Sequence, residues 1–582
     1  MRTLSLVAVV LFAASACGGR SNGGAGAAGG GAGASGAGGR GGGAAGAGGA
    51  TGGAEGSAGA GGGGSGGSAA GAGGGGIAGS AVGGSGGGAG DGGGGRDGGA
   101  ADSGGASGGR GGASGAGGIV DAGSDAPRGP VTAAPGATLV KIDPAARRQT
   151  FEGWGTSLCW WANHVGGWSA TARNAVVDAI VDPQAGLGYN IFRYNIGGGE
   201  NPAHEHMRQW GEMPGFLNAA GTWDWNADAN QRNVLQRIVE RDPKAILEAF
   251  SNSPPYWMTK SGCASGNTDG SNNLKDDSYD AFADYLTEVV KHYKDTFGIT
   301  FRTLEPLNEP NANWWTADGS QEGCHFGGTN QQQIIKAVGA SLTAKGLSGT
   351  TIGASDENSL DEAYNIMRTY DAATLATMSQ MNGHSYNAGA SARPNLRMLA
   401  TSKNKKLWQS ESGPLNATLA NNTEAAMFMA GRIITDLRDL QPEAWLDWQV
   451  GDPSDSWASI RLSDGQQTWT PLKRFYMHAG FSRFIRPGAT MLAVTPADMV
   501  AFSAGDGATL VVVIRNGDAA GAAAKSFTFD LTAVPVVGAQ VAVYRVSQTE
   551  NLASLAAIPV QSWSFTVSAP AFSLTTLVIP LR

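Results

Sequence analysis

Two glutamates in this sequence have the neighbours expected of catalytic carboxyl groups. Glu309 lies between an amide and a proline in the stretch LEPLNEPNANWW (304–315), and Glu411 lies in QSESG (409–413). Two carboxyl groups about 5 Å apart can cleave a glycosidic bond with retention of configuration. One stays protonated and donates to the leaving oxygen, while the other stays ionised and attacks the anomeric carbon. Alone, Glu309 could simply be an acidic turn residue, so the fold has to bring the two together.

The elements that would position them follow from a repeated pattern of short apolar runs, each ending in polar or aromatic residues. Segments with the spacing of amphipathic helices lie between the runs, for example over 276–298 and 423–440. Eight such runs alternating with helices predict a (β/α)8 TIM barrel over 137–470. An open doubly wound sheet is the alternative, but no Gly-rich phosphate loop follows the first run. The runs are 149–157, 189–199, 245–254, 301–310, 351–358, 381–387, 406–413 and 444–450.

The predicted barrel gives the two glutamates a common location. In such barrels the reacting groups lie at the carboxyl-terminal ends of the strands. Asn308 and Glu309 end the fourth run, and Glu411 ends the seventh. These strands lie on opposite sides of the barrel mouth, so we expect the two carboxyl groups to converge across it. Their closeness would also help to keep one of them protonated.

Other polar and aromatic residues at the strand ends could serve the same reaction. We expect Asn308 to bind the hydroxyl beside the reacting carbon, Tyr386 to orient the nucleophile and Arg193 to keep it ionised. Trp448, on the eighth strand, could form the floor of the subsite for the reacting sugar. A purely structural role is the alternative for each, because a strand-end arginine or tyrosine is often just a hydrogen-bond partner. Tryptophans in turn-like contexts are further candidate platforms for sugar rings, or else core residues: Trp160, Trp257 and Trp314.

Other titratable residues compete for places in the cleft. Two isolated histidines, His325 and His384, could bind a metal ion, but they are more typical of hydrogen-bonded fixtures. We expect neither a metal nor a cofactor. Four further acids, one inside the third strand and three at or near strand ends, could line the cleft as binding residues: Glu248, Asp356, Glu357 and Asp447.

The last part of the chain changes to short alternating strands with turn residues between them. Stretches such as TLVVVIRN, KSFTFDL and QVAVYRVS within 471–582 are typical of a β-sandwich. The segment 137–148, just before the barrel, could add a strand to this sandwich. The net charge of −8 is small for 582 residues and no basic cluster stands out, so we expect no nucleic-acid partner.

The amino terminus predicts export. An apolar run over 4–13 follows Arg2 and is too short to span a bilayer in the mature protein. We therefore interpret 1–17 as a signal peptide whose end resembles a bacterial lipobox, with Cys17 lipidated; an ordinary cleaved signal is the alternative. Residues 18–130 are almost wholly Gly, Ala and Ser, which predicts a disordered tether. The expected location is the cell surface or outer membrane, with the lipid as the sole membrane contact, or otherwise the medium.

Three cysteines remain beyond Cys17, and an exported protein permits disulfides. An odd number of cysteines allows at most one internal pair among them. We expect that pair to be Cys263 and Cys324, because both lie in Gly-rich loops that the barrel layout places on neighbouring turns.

The order of several motifs resembles glycoside hydrolase family 30 of clan A. The motifs are FEGWGTSLCWWA, RYNIGGG, SNSPPYWM, LNEPNANWW, QEGCHF, NGHSYN and QSESG, and the resemblance covers both the barrel and the sandwich. It implies a retaining mechanism with Glu309 as the acid/base and Glu411 as the nucleophile. The motifs GWGTSLCWWA and EGCHF are most similar to the endo-β-1,6-galactanase branch of the family. This similarity implies hydrolysis of the β-1,6-galactan side chains of arabinogalactan.

Alternatives remain open for the substrate and for the class of function. The β-1,6-glucanases and glucuronoxylanases of the family are the nearest rivals for the substrate. A catalytically silent carbohydrate-binding surface protein could be built on the same barrel, although silent relatives usually lose one catalytic carboxyl group and both are present here. The partner that we expect is a polysaccharide, bound by a monomer.

Overall fold

The structure is a computed structural model that describes residues 128–414, 422–535 and 537–581. Two strands come first, β1 (Ala137–Lys141) and β2 (Arg147–Thr150). Eight strands then close one parallel barrel, in which the last strand pairs with the first. They coincide with the eight predicted runs, so the predicted barrel is confirmed. These strands are β3 (Gly153–Ser157), β4 (Ile191–Asn195), β5 (Ile246–Phe250), β6 (Thr303–Glu305), β7 (Thr351–Ser359), β8 (Met378–Asn387), β9 (Lys406–Ser412) and β10 (Ala444–Asp447).

Helices connect the barrel strands. They are α1 (Trp161–Val165), α2 (Ala170–Val181), α3 (Ala229–Arg241), α4 (Tyr279–Phe297), α5 (Gly328–Ala344), α6 (Leu360–Met367), α7 (Ala372–Thr377), α8 (Ala392–Ser402), α9 (Asn422–Thr435) and, after β10, α10 (Lys473–Ser482). In α4, Phe282, Leu286 and Val289 recur every three or four positions and are fully buried. Gly298 ends this helix in the left-handed conformation, at φ 67°. Among the described residues, no helix has both the length and the apolar character needed to cross a membrane.

The remaining strands build a small sheet and a β-sandwich. The small sheet contains β11 (Gly451–Asp452), β12 (Ile460–Ser463) and β13 (Thr468–Pro471). The sandwich has a seven-stranded sheet in the order β19-β18-β21-β16-β15-β14-β2 and a three-stranded sheet in the order β1-β17-β20. The segment before the barrel therefore gives one strand to each sheet. The sandwich strands are β14 (Thr490–Leu492), β15 (Met499–Ser503), β16 (Thr509–Asn516), β17 (Lys525–Asp530), β18 (Gln540–Val546), β19 (Ala553–Pro559), β20 (Ser564–Ala569) and β21 (Ser573–Pro580).

Strand β16 is buried on both of its faces. Val511 and Val513 belong to the apolar core of the barrel and its helices. Leu510, Val512 and Ile514 belong to the core between the two sheets of the sandwich. Because successive side chains of a strand point to opposite faces, one strand contributes to both cores. This arrangement explains the unbroken apolar run in TLVVVI, which a strand with one wet face would not show.

Candidate active site

Glu309 and Glu411 meet at the mouth of the barrel. Glu309 follows β6 and Glu411 lies near the end of β9. His384 lies between them, with Nδ1 3.2 Å from Glu309 Oε1 and 3.6 Å from Glu411 Oε1. A carboxyl oxygen of each glutamate and the His384 nitrogen all lie within 4.8 Å of one another. This spacing fits the separation of about 5 Å that retaining glycoside hydrolysis requires.

The turn that carries Glu309 is strained and firmly held. Its φ of 47° lies in the left-handed region, which costs a non-glycine residue roughly 1–2 kcal/mol. The backbone N–H of Glu309 donates to the Asp356 carbonyl at 2.8 Å, and the Trp315 indole N–H donates to the Glu309 carbonyl at 3.0 Å. The Asn311 N–H donates to the Glu357 carboxyl at 2.9 Å. These bonds offset the strain and fix the position of the Glu309 carboxyl group.

The loop QEGCHF (321–326) supports the same turn. Nδ1 of His325 lies 2.9 Å from the Ala312 carbonyl oxygen, which makes this histidine a hydrogen-bonded fixture. A Cβ atom at Gly323 would lie 2.2 Å from the Trp315 ring, so only glycine fits there. The loop therefore keeps Trp315 against the turn, where its indole holds the Glu309 backbone.

Glu411 is held by the two residues that the sequence predicts to act on it. Tyr386 donates its hydroxyl to Glu411 Oε1 at 3.1 Å, and Arg193 Nη1 donates to Oε2 at 3.4 Å. Burial raises the pKa of Glu411 to about 7, although the positive charges of His384 and Arg193 oppose this rise and the Glu309 carboxyl adds to it.

Arg193, in β4, is fully buried beneath this pair and surrounded by carboxyl groups. Its Nε lies 3.1 Å from Glu248, and its Nη2 lies 3.5 Å from Glu305 and also contacts Asp356. Burial favours a raised pKa for Asp356, but Arg193 and His384 hold it at about 2. Burial raises the pKa of Glu305 well above its ordinary value. Glu248 and Asp356, which the sequence placed as possible cleft residues, are fully buried and support the site from below.

The carboxyl groups around His384 favour its protonated form. Burial acts to lower its pKa, but the negative charges of Glu411 and Asp356 raise it well above the ordinary value. Nε2 of the ring lies 3.1 Å from Asp356 Oδ1, opposite the nitrogen that faces the two glutamates. Glu309, His384 and Glu411 have the spacing of a possible metal site.

Trp448 and Trp160 form a corner of two aromatic rings next to Glu411. Their ring centroids are 5.2 Å apart and their planes are at 88°. The backbone N–H of Trp448 donates to the carbonyl of Ser412, the residue after Glu411, at 2.8 Å. Trp448 is half-buried, whereas Trp160 is buried and its indole N–H has no partner among the described residues. The guanidinium of Arg208 stacks over the Trp160 ring, 5.0 Å from its centroid.

The other residues predicted to bind substrate differ in their exposure. Trp314 is 39% exposed and lies beside Trp315, on the turn that carries Glu309. Trp257 is half-buried, packs against the core and donates its indole N–H to the Leu217 carbonyl at 2.9 Å. Asn308 is buried, and its Oδ1 has no hydrogen-bond partner among the described residues. Trp314 and Asn308 can therefore still take on a ligand contact, while the polar edge of Trp257 is already engaged.

Two further acids that the sequence placed near the cleft have internal partners. Asp447 is buried, with Arg474 at 3.1 Å and His478 at 3.2 Å, and so anchors α10 beneath β10. Burial raises the pKa of Glu357 to about 8, and its Oε1 accepts from the Gln331 amide at 2.9 Å. Both acids hold elements of the barrel in place.

Sequence reasoning missed two residues that support the site. Asn358, at the end of β7, donates its amide N–H to Glu309 Oε1 at 2.6 Å. Glu322 is fully buried and accepts from the Gly198 N–H at 2.8 Å and from Asn195 at 3.0 Å. The available signal for Asn358 was the run of polar residues SDEN at the carboxyl end of a barrel strand.

The predicted disulfide between Cys263 and Cys324 is wrong, since both are free thiols in this structure. Their loops do lie next to each other, as the barrel layout predicts. The sulfur of Cys263 faces the Ser261 carbonyl at 4.0 Å, and that of Cys324 faces the His325 carbonyl at 3.7 Å. The two sulfur atoms thus contact different backbone groups. The predicted signal peptide, the Cys17 lipidation site and the tether as far as 127 lie outside the described residues.

A closed parallel barrel with two carboxyl groups in this arrangement at its mouth defines a glycoside hydrolase. Residues 137–448 match the model of O-glycosyl hydrolase family 30, and the chain belongs to that family, as predicted. It is 32% identical over 423 residues to the endo-beta-1,6-galactanase of Hypocrea rufa, which covers 69% of this chain and 85% of that protein. It is 27% identical over 406 residues to the exo-beta-1,6-galactobiohydrolase of Bifidobacterium longum, covering 52% of this chain and 26% of that one. The catalytic domain of GH30 xylanase C from Talaromyces cellulolyticus shares the fold, with a TM-score of 0.58 and 20% identity over 76% of this chain and 99% of that one.

Proposed function

We propose that this protein is an exported endo-β-1,6-galactanase that hydrolyses the galactan side chains of arabinogalactan with retention of configuration. The observation that carries the proposal is the approach of Glu309 and Glu411 to within 4.8 Å across the barrel mouth. The choice of galactan is supported by the 32% identity to the Hypocrea rufa endo-beta-1,6-galactanase.

In the first step, Glu411 is the nucleophile and Glu309 is the general acid. An ionised Glu411 oxygen attacks the anomeric carbon, the bond from that carbon to the leaving oxygen breaks, and the proton of Glu309 passes to the leaving oxygen. The hydrogen bonds from Tyr386 and Arg193 favour the ionised form of Glu411. Because its pKa is about 7, part of the enzyme carries an ionised Glu411 at neutral pH.

In the second step, Glu309 changes its role to that of a general base. The carboxylate left by the first step takes a proton from water, and the water oxygen attacks the anomeric carbon. The bond between that carbon and Glu411 breaks, which restores both glutamates to their starting forms. The product keeps the configuration of the substrate because the carbon is inverted twice.

The aromatic corner and the unpartnered polar atoms are the proposed means of holding the sugar. A galactose ring would stack on the half-buried Trp448, with the Trp160 indole N–H available to one of its hydroxyl groups. Oδ1 of Asn308 would accept from the hydroxyl beside the reacting carbon. Buried donors and acceptors without a partner cost about 1–3 kcal/mol each, so a sugar that satisfies them gains that free energy on binding. Trp314, exposed beside Glu309, would contact the leaving part of the chain.

The proposed export and surface location rest on the sequence before the barrel. The apolar run, Cys17 and the Gly-rich stretch are the features that support a lipid-anchored, tethered enzyme. Fractionation of cells that produce the full chain or its Cys17→Ser form checks this proposal. An anchored protein that stays with the membrane only when Cys17 is present supports it, and an unchanged distribution contradicts it.

The substrate is tested by incubating the purified protein separately with β-1,6-galactan, β-1,6-glucan and glucuronoxylan and sizing the released oligosaccharides. We expect galacto-oligosaccharides of several lengths from the first glycan alone. Glu411→Gln is the matched control, because it keeps the size of the side chain and removes the nucleophile. Products from another glycan would assign a different substrate to the same mechanism. Silence on all three glycans, from a folded protein, would favour the carbohydrate-binding alternative.

The pH dependence of kcat/KM follows from the pKa of Glu411. Burial raises that pKa to about 7, and the attacking form is the ionised one. On the acid side of the profile, activity should therefore fall about ten-fold for each pH unit below this value. Glu309→Gln removes a negative charge that raises the Glu411 pKa, so the acid limb should move to lower pH in that variant. The rate of the Glu309→Gln variant is measured on a dinitrophenyl galactoside, whose leaving group needs no acid. An acid limb at the wild-type pH would contradict the effect of Glu309 on the pKa of Glu411.

A further inference from the structure

The carboxyl group of Glu309 receives two N–H donors on the same oxygen atom. The amide of Asn358 lies 2.6 Å from Oε1, and Nδ1 of His384 lies 3.2 Å from it. The negative charges of Glu411 and Asp356 raise the pKa of His384, which favours the protonated ring, and in that form Nδ1 donates a proton to Oε1. The other oxygen, Oε2, has no hydrogen-bond partner among the described residues.

We infer that Asn358, together with His384, confines the acid proton of Glu309 to Oε2, the oxygen left free for the leaving group. This inference rests on the proposed role of Glu309 as the general acid. An oxygen whose lone pairs accept two N–H groups cannot also carry a proton without breaking one of those bonds. Proton transfer to a leaving oxygen depends on the distance and orientation of the acid. A proton on Oε1 would therefore not reach the leaving oxygen. Asn358 is in this sense a positioning residue.

The end of β7 is built to hold Asn358 in this place. Three consecutive residues of the strand form hydrogen bonds with the turn that carries Glu309. The carbonyl of Asp356 accepts the Glu309 N–H, the carboxyl of Glu357 accepts the Asn311 N–H, and the amide of Asn358 donates to the Glu309 side chain. A regular strand would turn alternate side chains away. Here Asp356 has a φ of 63°, and the pairing of β7 with β8 shifts register on both sides of Glu357.

The test compares the wild type with Asn358→Leu and Asn358→Asp on aryl galactosides whose phenols differ in acidity and on β-1,6-galactan. We measure kcat/KM, since it reports the step in which the aglycone leaves. We expect Asn358→Leu to lose about 10–100-fold on galactan and on poor leaving groups, and only about 2–3-fold on the dinitrophenyl substrate. A displaced acid matters only where the leaving group needs a proton.

The alkaline limb of the pH profile gives a second readout. A hydrogen bond donated to a carboxylate favours its ionised form, so losing the Asn358 donor should let the acid stay protonated to higher pH. The limb should therefore move upward in Asn358→Leu, and further upward in Asn358→Asp, which places a negative charge beside Glu309. A merely structural role for Asn358 would leave the limb where it is. Asn358→Asp has the size of asparagine, so it keeps the test valid if the leucine form does not fold.

Two results would overturn the inference, and a control separates it from the proposed function. Equal losses on all leaving groups with an unmoved alkaline limb would mean a structural role, and wild-type rates would mean no role. Glu309→Ala is the control, because a general acid must show strong dependence on the leaving group. If Glu309→Ala lacks that dependence, the acid assignment itself fails. If Glu309→Ala shows it and the Asn358 variants do not, only the role of Asn358 fails.

Discussion

Replacing Glu411 by alanine is expected to lower kcat on the proposed substrate, β-1,6-galactan, by about 10⁴-fold or more, because in the proposed mechanism no glycosyl-enzyme can then form. The fold should survive the change. Burial already opposes the charge of Glu411, as its raised pKa shows, so the folded state does not depend on this carboxylate. Reducing-sugar release measures the loss, and the midpoint of thermal unfolding checks that the protein is folded.

Azide makes this test specific for the nucleophile. A small anion that enters the space left by Glu411→Ala attacks the anomeric carbon from the nucleophile's side and gives the α-glycosyl azide after one inversion. In Glu309→Ala the enzyme nucleophile remains, so azide acts in the second step and gives the β-glycosyl azide after two inversions. Opposite anomers from the two variants support the assignment of roles. Wild-type turnover in Glu411→Ala, or the reverse pattern of anomers, would contradict it.

Replacing Arg193 by methionine is expected to destabilise the protein by about 3–5 kcal/mol near neutral pH, the usual cost of leaving buried charges without their partner. Arg193 contacts four carboxyl groups inside the barrel, those of Glu248, Glu305, Asp356 and Glu411. Activity should fall as well, because Arg193 lowers the pKa of Glu411 and its loss would raise that pKa further. Urea unfolding measures the change in free energy.

The loss of stability in Arg193→Met should grow with pH. In the wild type Asp356 has a lowered pKa of about 2, so its contribution is complete above its ordinary value of 3.8 and is lost as the pH falls through about 2. Without Arg193 the buried carboxyls fold as neutral acids, while those of the unfolded chain ionise above about 4. The difference between variant and wild type should therefore be larger at pH 8 than at pH 4.5.

Arg474→Met is the matched control for this prediction. Arg474 is also fully buried, but its ion pair among the described residues is with the single carboxyl of Asp447. We expect a smaller loss of stability and a weaker dependence on pH in this variant. If Arg193→Met costs no more than Arg474→Met and shows the same pH dependence, the network around Arg193 does not act as described.

Much of the fold follows from the sequence because each barrel strand leaves its own local signal. A strand buried on both faces is a short apolar run, and its polar end marks the mouth of the barrel. The meeting of Glu309 and Glu411 then follows from strand order alone. The contacts of Glu411 with Tyr386 and Arg193 follow in the same way from the barrel, although Arg193 lies in the middle of β4 and not at its end.

The features that the sequence did not reveal depend on angles and registers within the structure. Asn358 reaches Glu309 from a segment in which Asp356 has a positive φ and the register of β7 and β8 shifts. Nothing in the residue types near Asp356 signals that shift. The sequence also did not reveal the directions of the Cys263 and Cys324 side chains, although it did predict that their loops lie close together.

Strand β16 has a consequence for where this enzyme can be divided. The match to the family ends at residue 448, yet Val511 and Val513 lie in the same apolar core as the barrel helices. A chain truncated after residue 448 would expose the apolar surface of the barrel that Val511 and Val513 cover. It would also remove β14, the strand that pairs with β2. The region that matches the family and the region that should fold cooperatively therefore have different boundaries. Part of the hydrophobic core of the barrel comes from the sandwich, so we expect the barrel and the sandwich to unfold in a single cooperative transition.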